Sequence, residues 1–139
     1  MRPIIDHINI TVGDLDRAEK FYDKLMPLLG FDVNRKIKAE ISEHQFTVVE
    51  YFSDSFDFAI ISPRNEFKDT KVHRRRPGSL HHLALSAGST GEVDRLFREI
   101  SAIGAEIVTP PQYYPEYGPT YYALFFKDTE NIKYEIVYK

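Results

Sequence analysis

The chain has 139 residues, of which 42% are hydrophobic and 28% charged, a length and balance that fit one ordinary domain with a sizeable core and exclude a disordered chain. Eighteen Lys and Arg against 21 Asp and Glu give a net charge of −3, which argues against non-specific nucleic-acid binding. There is no cysteine, so disulfides, thiolate chemistry and cysteine-ligated metal sites are ruled out.

The start, Met1-Arg2-Pro3-Ile4-Ile5-Asp6, carries no apolar leader, and no run approaches the roughly 20 apolar residues of a membrane span. A cytoplasmic protein is the expectation. The first strand pattern is His7-Ile8-Asn9-Ile10-Thr11-Val12, with Ile8, Ile10 and Val12 on one face and His7, Asn9 and Thr11 on the other. Leu15, Ala18, Phe21, Tyr22, Leu25 and Leu29 then recur at helical spacing, with Asp14 as cap and Gly30 as stop. Pro27 is expected to kink that helix or end it early. Strand-like runs follow at 31–38, 44–52 and 56–62, the second opened by a solvated His44. A polar connector, 63–79, holds Pro63, the run His73-Arg74-Arg75-Arg76, Pro77 and Gly78.

The pattern then begins again. His82-Leu83-Ala84-Leu85-Ser86-Ala87 alternates as residues 7–12 do, 75 positions later. At the same offset Gly13 matches Gly88, Phe21 matches Leu96, Tyr22 matches Phe97 and Leu25 matches Ile100. Ser89-Thr90-Gly91-Glu92 has the form of a capping box; Val93, Leu96, Phe97, Ile100 and Ile103 make the second helical stripe, closed by Gly104. Strands are expected at 105–109, 120–127 and 132–138, with a Pro/Tyr-rich loop from Pro110 to Pro119. The chain therefore reads as an α+β domain made of two β-α-β-β-β modules, 3–62 and 80–138.

His7 and His82 hold the same place in the two copies, on the face turned away from the helix-packing residues. In the last strand Lys133, Glu135 and Val137 share one face and Tyr134, Ile136 and Tyr138 the other. If the two sheets pair around a cavity, two imidazoles and a carboxylate converge in it. That donor set suits a catalytic zinc site or a non-haem iron triad, both of which leave coordination positions open for substrate or water. The place that symmetry matches to Glu135 falls at Ala59, Ile60 or Ile61, none of which can bind a metal.

Asp6-His7-Ile8-Asn9-Ile10, the helix through Phe21-Tyr22, His82-Leu83-Ala84-Leu85 and the segment from Tyr122 to Glu135 together resemble the vicinal oxygen chelate superfamily over about residues 4–138. That group takes in glyoxalase I, the bleomycin- and fosfomycin-resistance proteins, extradiol dioxygenases and methylmalonyl-CoA epimerase. The resemblance implies two curved mixed sheets forming a cup, a homodimer, and a divalent ion (Zn, Fe, Mn, Ni or Co) on His7, His82 and Glu135. The activity it implies is a glyoxalase-related lyase or isomerase acting on a small molecule that chelates the ion through adjacent oxygens. Glu50, or a tyrosine of the 113–122 segment such as Tyr122, is the implied acid or base. The fourth, apolar corner departs from glyoxalase I and the epimerase and is closer to the extradiol and fosfomycin-resistance enzymes. An Fe(II) extradiol dioxygenase and a metal-free binding protein of the bleomycin-resistance kind are the alternative readings.

The remaining histidines and tyrosines carry weaker signals. Strand alternation turns His81 away from His82, as a structural residue. The run 73–76 is either a solvated connector or a site for an anionic group. Tyr113, Tyr114, Tyr117, Tyr121 and Tyr122 either line a loop that closes over a cavity or pack on a sheet edge.

Overall fold

A computed structural model describes residues 4–71 and 73–139. The Met1-Arg2 start, Pro3 (where the first module is expected to begin) and Val72 of the connector lie outside the described residues. The chain divides into two compact units, Met1–Lys71 and Val72–Lys139, whose boundary falls inside the expected connector. The first unit contains β1 (His7–Thr11), α1 (Leu15–Leu28), β2 (Asp32–Ile41), β3 (Phe46–Phe52) and β4 (Asp57–Ile61). The second contains β5 (Leu83–Ser86), α2 (Thr90–Ala102), β6 (Glu106–Tyr113), β7 (Tyr122–Lys127) and β8 (Lys133–Tyr138). Each is a four-stranded mixed sheet with one helix, in the orders β1-β4-β3-β2 and β5-β8-β7-β6, and in each only the first and last strands of the module run parallel.

The two helices start and stop by the same devices. Asp14 accepts the Arg17 N–H at 2.9 Å and Ser89 accepts that of Glu92 at 3.1 Å. The Glu92 carboxylate reaches back to the Gly88 N–H at 2.7 Å, one residue earlier than a standard capping box. At the other end Phe31 N–H bonds Met26 O and Gly30 N–H bonds Pro27 O, and Ala105 and Gly104 repeat the pair on Ile100 and Ser101. These are Schellman closures. They need a left-handed residue, and Gly30 and Gly104 both have φ of 89°. Pro27 does not end the helix early: α1 continues to Leu28. So close to the end of the helix, a missing N–H removes only one intrahelical bond, and the Pro27 carbonyl is already committed to the Schellman closure.

The core follows from the alternation. Ala18, Phe21, Tyr22, Leu25 and Met26 of α1 are buried, as are Val93, Leu96 and Ile100 of α2. Phe58, Ala59 and Ile60 are all buried because β4 lies between β1 and β3. Two strands run further than expected. β2 reaches Ile41, and His44 closes a short 3₁₀ turn after it rather than opening β3. β6 continues through Pro110 and Pro111 to Tyr113. It is an edge strand with irregular pairing between Ile107 and Gln112, and an edge tolerates residues without an N–H.

The solvent side of α1 is tied to β2 by charge. Lys36 Nζ lies 2.8 Å from both Glu19 Oε1 and Asp23 Oδ1, Lys38 Nζ lies 2.6 Å from Glu19 Oε2, and the Tyr51 hydroxyl donates to Asp23 at 3.0 Å. Burial draws the Glu19 carboxyl up, but hydrogen bonds from Lys36 and Lys38 outweigh it and hold its pKa below the ordinary 4.5. Burial likewise draws Lys36 down, and its bonds to Asp23 and Glu19 hold it above 10.5. A depressed carboxylate contributes stability above its unfolded pKa and loses it as the pH falls through the folded one. A raised lysine loses its contribution only as the pH rises past its own folded value. Lys36→Met is therefore expected to cost about 1–2 kcal/mol at neutral pH. Urea denaturation should show that difference from the parent protein fading as the pH falls below 4.5 and through the folded pKa of Glu19, where that carboxyl becomes protonated in both states.

Candidate metal-binding site

In the second module the site is built on one face of the sheet. β7 and β8 pair Phe125 with Glu135 and Ala123 with Val137, so these four side chains share a face. Ala123, Phe125 and Val137 form a small apolar cluster there, with Tyr114 and Tyr121 packed against it. Glu135 is 3% exposed, and a carboxylate at that depth needs partners. It has them on both oxygens: the Tyr121 hydroxyl donates to Oε1 at 2.6 Å, and His82 Nε2 lies 3.2 Å from Oε2. Burial, then the hydrogen bond to Glu135, pushes the Tyr121 phenol up to about 12. It remains a proton donor at neutral pH.

The other nitrogen of His82 is also held. His82 Nδ1 lies 2.7 Å from His81 Nδ1, and His81 Nε2 lies 3.2 Å from an Arg74 guanidinium nitrogen. The expected divergence of His81 from His82 is thus corrected. β5 begins only at Leu83, so strand alternation does not reach these two residues, and their rings meet edge to face at 5.0 Å. Burial, followed by the Arg74 charge, lowers the pKa of His81. Lys133 Nζ sits 4.1 Å from the centre of the Phe125 ring, and burial with the Arg74 charge lowers its pKa too.

The first module repeats this plan with different chemistry. His7 pairs with Asp57 and Asn9 with Ala59, while Ala59 pairs with Glu50 across β3. His7, Asn9, Glu50 and Ala59 therefore share one face. Registers also fix the symmetric corner: Ala59 stands opposite Asn9 as Glu135 stands opposite Ala84. His7 Nδ1 is 2.7 Å from Asp6 Oδ1. That hydrogen bond raises the His7 pKa, with the charges of Glu50 and Asp57 adding to it. The same face carries a cavity of about 330 Å³, lined by Thr11, Phe46, Ile61 and Arg64 among others.

Of the expected site residues, His82 and Glu135 meet within one module, and Glu50 faces the same side of its sheet as His7. Tyr122 points the other way. It pairs with Tyr138, and its hydroxyl donates to Asp94 Oδ1 of α2 at 2.8 Å. The tyrosine at the carboxylate is its neighbour, Tyr121. Within neither module do the described residues gather three metal-binding side chains into one group, and the expected ligands divide one and two between modules.

The family model for the Glyoxalase/Bleomycin resistance protein/Dioxygenase superfamily matches residues 4–136. The chain belongs to this superfamily. The uncharacterised protein YqjT of Bacillus subtilis (strain 168) is 29% identical over 131 residues, covering 94% of this chain and 95% of its own. Among solved structures, a candidate glyoxalase from Bacillus halodurans is 26% identical with a TM-score of 0.75, covering 99% of this chain and 97% of that one. A glyoxylase/bleomycin resistance protein/dioxygenase domain from Frankia sp. EAN1pec has a TM-score of 0.79 at 21% identity, covering 99% and 98%. Superfamily proteins bind small molecules, and no helix among the described residues is long and apolar enough to cross a membrane.

Proposed function

We propose that the chain is a divalent-metal-dependent enzyme of the glyoxalase-related group, working as a homodimer on a small molecule with two neighbouring oxygens. His7, His82 and Glu135 would hold the ion. One observation carries this reading: His82 Nε2 and Glu135 Oε2 face each other at 3.2 Å, while the second donor atom of each is already occupied, by His81 and by Tyr121. Two donors on one ion at bond lengths of about 2.0–2.2 Å stand roughly 3 Å apart, so the pair fits an ion with little movement. His7 meets the same requirement in its own module, because Asp6 occupies Nδ1 and leaves Nε2 as the free donor.

A bound divalent ion would supply charge to stabilise negative charge developing on the substrate's oxygens. The protein's own groups do the rest. Tyr121 fixes Oε1 of Glu135 and, staying protonated, donates rather than accepts. Glu50, half-buried on the His7 face, would accept a proton in this reading. The cavity on that face offers apolar walls and the Arg64 guanidinium to the rest of the substrate. The same two-histidine, one-carboxylate donor set supports an Fe(II) dioxygenase as a second reading. Oxygen uptake with an iron-loaded sample separates the two.

The test is elemental analysis of protein purified without chelators, followed by calorimetric titration with Zn²⁺, Mn²⁺, Ni²⁺, Co²⁺ and Fe²⁺. One ion per chain supports the proposal; no uptake of any of them overturns it in favour of a metal-free binding protein. Asp6→Ala, which frees His7 Nδ1, is expected to weaken ion binding by about tenfold.

A further inference from the structure

We propose that the cavity on the His7 face of the first module is a site for a small aromatic carboxylate, held at its charged end by Arg64 and at its ring by Phe46 and Phe67. That this acid is the far end of the chelating substrate rests on the metal reading above; the site itself does not.

The floor of the cavity is set by strand register. Thr11 pairs with Ile61, and Ile61 with Val48, so Phe46, two residues before Val48, points to the same side. Two short turns build up the walls. After β2 the 3₁₀ turn Ser42–His44 closes on Gln45, whose φ is 59°. It sets the His44 ring nearly parallel to Phe46, with 11° between the planes and 6.2 Å between the centroids. After β4 the 3₁₀ turn Asn65–Phe67 is closed by the Phe67 N–H on Arg64 O at 2.9 Å and brings both Arg64 and Phe67 to the cavity.

The chemistry of these walls selects an anion. Glu43 and Glu66 belong to the two turns, but no Asp or Glu is among the described residues that line the cavity. The chain as a whole has a net charge of −3, yet the fixed charge here is the Arg64 guanidinium. Lys36, Lys38, Arg95 and Lys127 are each paired with a carboxylate. Among the described residues nothing forms an ion pair or hydrogen bond with the Arg64 side chain. A guanidinium has donors only, in a fork that matches a carboxylate. Beside it the Ser62 hydroxyl accepts the Thr47 N–H at 2.8 Å, and its own O–H remains to donate. The rest of the wall is flat and apolar, and the faces of Phe46 and Phe67 suit an aromatic ring. A volume of about 330 Å³ lies at the small end of ligand sites. Thr11 stands four residues beyond His7 on the same strand face, about 13 Å away. A substrate that reaches both places therefore carries its carboxylate at the end remote from its chelating oxygens.

Calorimetric titration with trans-cinnamate in the presence of EDTA tests the site with any bound ion removed. The parent protein should bind cinnamate measurably and cinnamamide, which lacks the charge, at least about tenfold more weakly. Arg64→Met should weaken cinnamate by about tenfold or more, and Phe67→Ala by about two- to tenfold. Both side chains are exposed, so both variants should unfold at the parent's temperature. Lys68→Met is the control, since it removes a like charge just after the same turn but not from the cavity walls; it should leave the affinity unchanged. No cinnamate binding, equal binding of acid and amide, or full affinity in Arg64→Met overturns the proposal. Cinnamate binding through Arg64 in a chain that takes up no divalent ion would uphold the site and overturn the metal reading alone, and ion uptake without cinnamate binding would do the reverse.

Discussion

Glu135→Gln is expected to lower divalent-ion affinity by at least about a hundredfold, more than the loss of an outer-shell partner causes, while leaving the protein folded. Glutamine keeps the shape of the side chain and can still accept the Tyr121 hydrogen bond now made at 2.6 Å. What it loses is the charge that holds a cation and the strong donor at Oε2. His82→Ala should have a comparable effect on the ion. Its stability cost should be small, because His82 lies just before β5, half-buried and outside the helix-packing core. Calorimetric titration with Zn²⁺ beside thermal unfolding separates the two consequences. Full ion occupancy in either variant would remove the residue from the ligand set; a large fall in melting temperature in both would mean that the contacts are structural.

Much of this was legible in the chain because duplication places the same instruction twice. A histidine at the head of an alternating strand, a capped helix and a glycine stop recur at one spacing, and both glycines adopt the same left-handed φ of 89°. The face carrying Glu135 followed from period-2 alternation in β8, a strand with no irregularity in its pairing. Legibility ended where alternation ends. His81 and His82 precede their strand, so the contact between them needed the actual backbone. Tyr121 sits one residue before β7, and an alternation started at residue 120 gave no way to choose it over Tyr122. The long β6 was hidden by Pro110 and Pro111, which read as loop in any sequence and are tolerated only because the strand lies on an edge. Arg74 stood out within a basic run, but nothing local in the sequence separates it from Arg75 and Arg76; only the fold brings it to His81.

Phe58→Ala should be the costliest single change in the first module, at about 3–5 kcal/mol. Phe58 is 1% exposed in a strand paired on both sides, opposite Ile8 of β1 and Tyr51 of β3. Its ring stacks on Tyr22 of α1 with centroids 5.5 Å apart, and Tyr22 in turn meets Phe21 edge to face and lies tilted against Tyr51. Removing it takes away the transfer energy of a full aromatic side chain and one aromatic contact of about 0.5–1.5 kcal/mol. Little collapse can fill the space, because the neighbours are rings with few rotamers or strand residues fixed by pairing on both sides. Phe67→Ala is the matched control: the same chemistry in the same module, but at a side chain 56% exposed, where about 0.5 kcal/mol or less is expected. Chemical denaturation of both variants gives the comparison, and a Phe58→Ala loss below about 1 kcal/mol would show that α1 and its sheet repack. The adjacent residue explains why a costly core position and an apolar site corner occur side by side. Alternation turns Phe58 toward α1 and Ala59 toward the His7 face. In β8 the same step turns Tyr134, 1% exposed, toward α2 and Glu135 toward His82. Packing demands a large ring at the first position of each pair, and only the second position is free to differ between modules, as alanine in one and a buried carboxylate in the other.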